Sequence, residues 1–271
     1  MRTTLIYFFT ILSSMVFAQT GYDIQPDRPG LGESSQVLRK GYLQIESGGN
    51  YQWDKQENGF GTSKIITRET NYNSTFLRFG FSDFCEFRLA WNIVGSYRKF
   101  YGGLMTATNK TPIGFSPLSL GFKAKVLEGD GWIPSTALLG MMGIPKWASS
   151  HLTSSSFSPS LLLPMEWDLS DRLLLTINNG LFWDGEAIKP SYFASLSLDW
   201  MALKKVGLFI EAYNNYRNQT SILPGINGGV LWRVRENLQL DLSSGFGLTS
   251  EMPNGFINGG ISYRINFNKK G

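Results

Sequence analysis

Cys85-Glu86-Phe87-Arg88-Leu89-Ala90-Trp91-Asn92-Ile93-Val94 is the stretch that decides the fold. At a period of two, one face holds Cys85, Phe87, Leu89, Trp91 and Ile93, and the other holds Glu86, Arg88, Ala90, Asn92 and Val94. A helix would scatter both sets around its circumference, whereas a strand sends alternate side chains to opposite faces. One apolar face and one charged face over this length fit a strand with lipid on one side and water or polar side chains on the other.

The same alternation recurs on both sides of this stretch. It runs over Tyr42–Trp53, Asn71–Phe81, Cys85–Tyr97, Phe115–Val126, Trp132–Ile144 and Ser158–Leu169. It continues over Leu173–Trp183, Ser191–Trp200, Val206–Tyr216, Ile226–Val234, Leu238–Leu248 and Phe256–Phe267. These segments predict an all-β chain, a transmembrane antiparallel up-and-down β-barrel of about twelve strands. Two outward sets are wholly apolar: Tyr192, Ala194, Leu196, Leu198, Trp200, and Ile226, Gly228, Val230, Trp232, Val234.

Connection lengths support the barrel independently. Ser82-Asp83, Leu127–Gly131, Ser170–Arg172, Ala202–Lys205 and Arg235–Asn237 are short, and they alternate with longer connections such as Asp54–Thr70, Arg98–Gly114 and Pro145–Phe157. A soluble sandwich has no reason to lengthen every second connection, whereas outer-membrane barrels pair short periplasmic turns with longer external loops. Both termini are therefore expected in the periplasm. Trp53, Trp91, Trp132, Trp167, Trp183, Trp200, Trp232 and Tyr263 suit the membrane interface, although a sandwich core would also use such aromatics.

At the start of the chain, Met1-Arg2 precedes an apolar run from Leu5 to Phe17 that ends in Val16-Phe17-Ala18, the pattern of a secretory signal cleaved after Ala18. The expected division is a signal peptide at 1–18, a periplasmic or lumen-inserting segment at 19–40, the barrel at 41–267 and a tail at 268–271. The last strand alternates Ile261, Tyr263, Ile265 and Phe267 with polar residues. It resembles the terminal strand by which such proteins engage the barrel-assembly machinery. The expected partners are that machinery, outer-membrane lipid and a small-molecule solute.

Several chemistries are excluded or weak. A single Cys85 gives no intramolecular disulfide framework, and one histidine with one cysteine cannot build the usual nitrogen and sulfur metal sites. The net charge of +4 falls to +3 without Arg2 and is dispersed, which argues against nucleic acid. No cofactor is expected. Glu128-Gly129-Asp130-Gly131 lacks calcium-loop spacing and reads as a turn. His151 lies in a serine-rich loop with Ser149, Ser150, Ser154, Ser155 and Ser156, but that loop supplies no oriented carboxylate for a triad. The expectation is a non-enzyme.

Asp27-Arg28-Pro29-Gly30-Leu31-Gly32-Glu33-Ser34-Ser35 and Gly41-Tyr42-Leu43-Gln44-Ile45-Glu46-Ser47-Gly48 resemble the opening of the outer-membrane "transporter", or "putative MetA-pathway of phenol degradation", family. The resemblance implies passage of small, often aromatic, molecules. Its motif residues here are Asp27, Arg28, Pro29, Gly30, Gly32, Ser34 and Ser35.

The segment Gly21–Lys40 holds Pro26, Pro29, Gly30 and Gly32 and can form neither strand nor helix of its own. It reads as a flexible leader or as a lumen insert whose Asp27, Arg28 and Glu33 meet inward Glu46, Arg233, Asp241 and Arg264. Glu46, Glu86, Arg88, Lys123, Glu211, Arg233, Asp241 and Arg264 are the candidate lumen and selectivity residues. With Lys125, Glu166, Asp168 and Asp199 they predict a polar lumen of mixed charge without strong bias. Twelve strands lie between about eight, which leave a filled interior, and about sixteen, which leave an open aqueous channel. Passive passage of small, hydrophobic or aromatic solutes is the expected function, and a non-conducting structural or surface-interaction barrel is the alternative. A lipid-modifying enzyme ranks behind both.

Overall fold

A computed structural model describes residues 24, 26–57, 63–102, 105–217 and 221–268. The expected signal at 1–18 lies outside the described residues. Thirteen strands follow one another: β1 Tyr42–Glu57, β2 Ser63–Gly80, β3 Cys85–Gly102, β4 Met105–Phe115, β5 Leu118–Leu127, β6 Ser135–Ile144 and β7 Ser158–Ser170. The rest are β8 Leu173–Phe182, β9 Ser191–Leu203, β10 Val206–Arg217, β11 Ser221–Arg235, β12 Leu238–Gly247 and β13 Gly255–Asn266.

The strands close into a ring with twelve strand positions. Consecutive neighbours pair antiparallel, β1 meets β13 from Tyr42↔Asn266 to Trp53↔Gly255, and β2 meets β3. The terminal half of β3, Cys85–Ala90, pairs with β5, and its other half, Ile93–Gly102, pairs with β4. β4 and β5 thus occupy one position in the ring, interrupted at Ser116-Pro117. Pro117 has no N–H for the ladder, while Ser116 N–H still donates to the Asn92 carbonyl at 2.9 Å.

Closure follows from the medium. In hydrocarbon every backbone N–H and C=O needs an internal partner, so a spanning sheet must have no open edge. The faces obey the period read from Cys85–Val94. Outward Leu196, Leu198, Trp200 and Trp232 are exposed, and inward Glu86 and Arg88 are fully buried.

Two expected loops are strand instead. Much of Asp54–Thr70 continues β1 and β2, and much of Arg98–Gly114 continues β3 and β4. Thr67, Ile66, Ile65 and Tyr97, Phe100, Tyr101 are β-branched or aromatic residues that suit pleated pairs, and the polar residues among them obscured this signal. The expected strand Trp132–Ile144 begins at Ser135, because Asp130 and Ile133 close a tight turn first. At the end opposite the termini, Met252 from the β12–β13 connection folds inward onto Leu139, Leu162, Phe193, Tyr213 and Phe256, forming a buried apolar cluster inside the ring.

The outward face yields a stability prediction. Leu196→Arg, near the middle of β9, is expected to cost about 2–4 kcal/mol, the range for a cation at the bilayer midplane. Equilibrium unfolding in lipid vesicles checks this, and a change below about 0.5 kcal/mol, ordinary for an innocuous surface substitution, would contradict a lipid-facing Leu196.

Candidate functional site

Pro26–Lys40 forms no regular element and runs as a strap through the lumen. Ile24 N–H donates to the Glu236 carbonyl at 2.8 Å, fastening its start at the terminal end of the barrel. At its other end Leu38 N–H donates to Glu86 at 2.6 Å and Lys40 N–H to Asp83 at 3.2 Å. Prolines and glycines keep the strap from pairing with itself, so inward side chains must satisfy its backbone.

One wall gathers cations. Asp27 lies 2.9 Å from Arg78 on β2, 2.5 Å from Arg88 on β3 and 3.1 Å from Lys123 on β5. Glu33 lies 2.6 Å from Arg88 and 3.8 Å from Lys123. The wall supplies two carboxylates of its own: Glu46 reaches Arg78 at 2.9 Å, and Glu86 reaches Arg78 at 2.9 Å and Arg88 at 2.7 Å. Three cations against Glu46 and Glu86 leave an excess positive charge in a buried place. An uncompensated buried charge costs several kcal/mol, and Asp27 of the strap, which meets all three cations, removes it.

The opposite wall holds the strap by hydrogen bonds. Arg28 Nη2 donates to Asp241 on β12 at 3.2 Å and to Asn258 on β13 at 2.7 Å. Leu31 and Gly32 N–H donate to Glu211 on β10 at 2.8 and 2.9 Å, and Glu33 N–H donates to Asn178 on β8 at 3.1 Å. The Ser35 hydroxyl donates to Glu166 on β7 at 2.5 Å. On the cation wall's side, Glu46 on β1 also accepts from the N–H groups of Asp27 and Arg28 at 3.1 and 3.3 Å. Within the strap, Ser34 N–H donates to Asp27 at 2.9 Å.

Glycine makes the close approach possible at one cross-strand pair. A Cβ on Gly48 or Gly260 would collide with the Arg28 guanidinium. These two residues face each other across the β1–β13 seam, so the guanidinium lies directly on the backbone of the ring.

The strap forms a shared wall between two cavities. The far cavity, about 670 Å³, includes Glu46, Glu69, Tyr213, Met252 and Phe256 in its lining. The terminal-side cavity, about 320 Å³, includes Glu166, Asp168, Asp199, Glu211 and Arg233. Asp27, Arg28, Gly30, Gly32 and Glu33 line both.

Of the sequence candidates, Glu46, Glu86, Arg88, Lys123, Glu211 and Asp241 surround the strap. Arg233 lines the terminal-side cavity. Arg264 lies 5.3 Å from the Tyr42 ring centroid and donates to the Glu236 carbonyl at 3.5 Å, away from the strap's carboxylates. The expected side-chain pairing therefore needs correction: Arg28 takes Asp241, but Asp27 and Glu33 turn to the β2–β3–β5 wall, where cations exceed acids. Arg78 and Asn178 escaped the sequence reading. Arg78 alternates correctly with Leu77 and Phe79, but a register shift between Asn71 and Asn73 blurred the period of β2. His151 is bound to the Pro112 carbonyl at 2.9 Å, and Ser149 accepts from Phe115 N–H at 2.9 Å, so these loop residues cover β4.

A closed antiparallel ring with an apolar exterior and a charged, partly filled lumen defines an outer-membrane β-barrel of porin-like form. Residues 26–265 match the family described as "Putative MetA-pathway of phenol degradation", and the chain belongs to that family. Among solved structures, an outer-membrane channel from Pseudomonas putida F1 is similar, with a TM-score of 0.63 at 13% identity, covering 90% of this chain and 100% of that one. The transport unit of the autotransporter AIDA-I from Escherichia coli gives 0.54 at 12% identity, covering 84% and 90%. A KdgM porin in complex with disordered oligogalacturonate gives 0.50 at 11% identity, covering 81% and 98%. At these identities the likeness is one of fold. No curated protein matches the chain.

Two predictions concern the strap's acids. Burial alone would raise Asp27, but Arg78, Arg88 and Lys123 outweigh it and hold the carboxyl well below its usual range. Its contribution to docking is then present above pH 4 and lost as pH falls through the depressed value. Asp27→Ala should destabilise the folded barrel by about 3–5 kcal/mol, the cost of breaking one side of a buried ion pair. Denaturant unfolding measures this, with Asp27→Glu as the milder control.

Burial pushes Glu33 up from 4.5 to about 7, with Asp27 adding to the rise and Arg88 opposing it. The docked strap therefore holds this proton more tightly than a released one. Docking should weaken as pH rises from about 4.5 to about 7 and level off above. Glu33→Gln should flatten that slope when protease protection of the strap is followed across pH. Identical slopes in the two proteins would refute the assignment.

Proposed function

We propose that this barrel passively admits small solutes across the outer membrane, with the strap narrowing the passage. The observation that carries this reading is the division of one closed lumen into two cavities by a segment whose middle, Asp27–Ser35, is held by ion pairs and hydrogen bonds, with Ile24 and Leu38 buried at its two ends. Neither contact type is covalent, and both can be exchanged for water. In this reading the terminal end, with its short turns, faces the periplasm, and the far cavity opens outward. The apolar side of that cavity, with Tyr213, Leu223, Met252 and Phe256, favours solutes with a small hydrophobic or aromatic body.

A second reading also rests on the strap. Its contacts reach β1, β2, β3, β5, β7, β8, β10, β12 and β13, so it could serve as a permanent staple in a non-conducting barrel. Planar-bilayer conductance of the refolded mature protein separates the two, with heat-modifiable gel migration confirming that the barrel has folded. Discrete openings that become more frequent in Arg28→Ala are expected for the passage. A folded barrel that is silent in both forms would leave the staple.

A further inference from the structure

Charge in the lumen is unevenly compensated. The strap and the β2–β3–β5 wall consume the cations around them: Arg28 pairs with Asp241, Arg78 with Asp27, Glu46 and Glu86, Arg88 with Asp27, Glu33 and Glu86, and Lys123 with Asp27. The acids lining the two cavities are treated differently. Glu69 and Glu251 in the far cavity, and Glu166, Asp168, Asp199 and Glu211 in the terminal-side cavity, make no ion pair among the described residues. Glu166 is met by the Ser35 hydroxyl, Asp199 by the Ser197 hydroxyl, and Glu211 by backbone N–H groups and Asn227, all neutral donors.

A second observation comes from the β11–β13 wall beside the strap. Asp241 gives one carboxylate oxygen to Arg28, while its Oδ2 is buried with no donor; among the other polar atoms buried without partners on the same wall are neutral groups of both kinds, Asn227 Oδ1, the Ser243 and Ser262 hydroxyls and the donor Gln239 Nε2. Asp241 is pinned through Arg28, which lines both cavities, so its carboxylate lies beside the point where the cavities meet. In the terminal-side cavity the acids outnumber Arg28, Arg172 and Arg233, and in the far cavity they outnumber Arg28, so the charge lining both cavities is predominantly negative. The protein's net charge of +4 does not reveal this, because its sign is opposite.

We propose that the lumen selects for cations: it passes small cations, and amine-bearing solutes with an apolar body, in preference to anions. In the far cavity the uncompensated Glu69 and Glu251 stand with Tyr213 and Phe256, a combination of carboxylate and aromatic face that suits an organic ammonium. This inference rests on the transport reading above and names the class of solute it favours.

The test is the reversal potential of refolded mature protein in planar bilayers under a KCl gradient at pH 8, where ordinary carboxylates are ionised. A potassium-to-chloride permeability ratio of at least about threefold is expected, below the roughly tenfold or greater counter-ion enrichment of a cleft lined by one sign alone, because a few arginines share these linings. The double variant Glu69→Gln, Glu251→Gln should lower the ratio toward one. Uptake into liposomes should likewise favour benzyltrimethylammonium over benzoate. Conductance with a reversal potential at zero, or of chloride sign, overturns the inference and leaves the transport reading standing. A folded barrel without conductance overturns both.

Discussion

An unpaired backbone amide in hydrocarbon costs several kcal/mol, and a sheet edge would expose a row of them. That penalty forces β1 onto β13 and makes every later feature of this protein a matter of what fills, or fails to fill, the enclosed space. The alternation of side chains then follows: apolar residues turn to lipid, and what remains must be accommodated inside. Arg78, Arg88 and Lys123 are consequently brought within a few ångströms of one another on a single wall, where two wall carboxylates cannot balance them. The strap is the answer to that imbalance.

The strap works because it is irregular. A strand would satisfy its own N–H groups by pairing along a neighbour, but a chain broken by Pro26, Pro29, Gly30 and Gly32 offers single amides to side chains on many strands. Glu46 and Glu211 each accept two of them. Gly48 and Gly260, by leaving bare backbone on the inner face of β1 and β13, let the Arg28 guanidinium lie flat against the wall. The same contacts that close the lumen are polar and exchangeable with water, so the lumen is filled without a permanent apolar core at its centre. The apolar cluster around Phe193, Tyr213 and Met252 occupies only the far part.

Much of this was legible in the amino-acid order. The period in Cys85–Val94 assigned Glu86 and Arg88 to the inside and Phe87 and Leu89 to the outside, and the recurrence of that period along the chain counted the strands. Where the period failed, the cause was local. Around Asn71–Asn73 a register shift moves the inward set from odd to even numbers, which hides Arg78 from a fixed period of two. Ser116-Pro117 splits one ring position into β4 and β5, and the hairpins beyond Trp53 and Tyr97 carry enough charge to read as loops.

The sequence by itself determined which residues face lipid and which face the lumen, because a strand repeats every two residues whatever its neighbours are. It also marked the stretch from Gly21 to Lys40 as unable to form a strand or helix of its own. Only the tertiary structure decided which charges neutralise each other, because ion pairing depends on distances between strands far apart in the chain. Asp27 and Arg78 stand 51 positions apart, and Arg28 and Asp241 stand 213 apart. An even mixture of inward acids and bases in the sequence thus becomes, once the ring closes around the strap, spent cations on one wall and uncompensated carboxylates in both cavities.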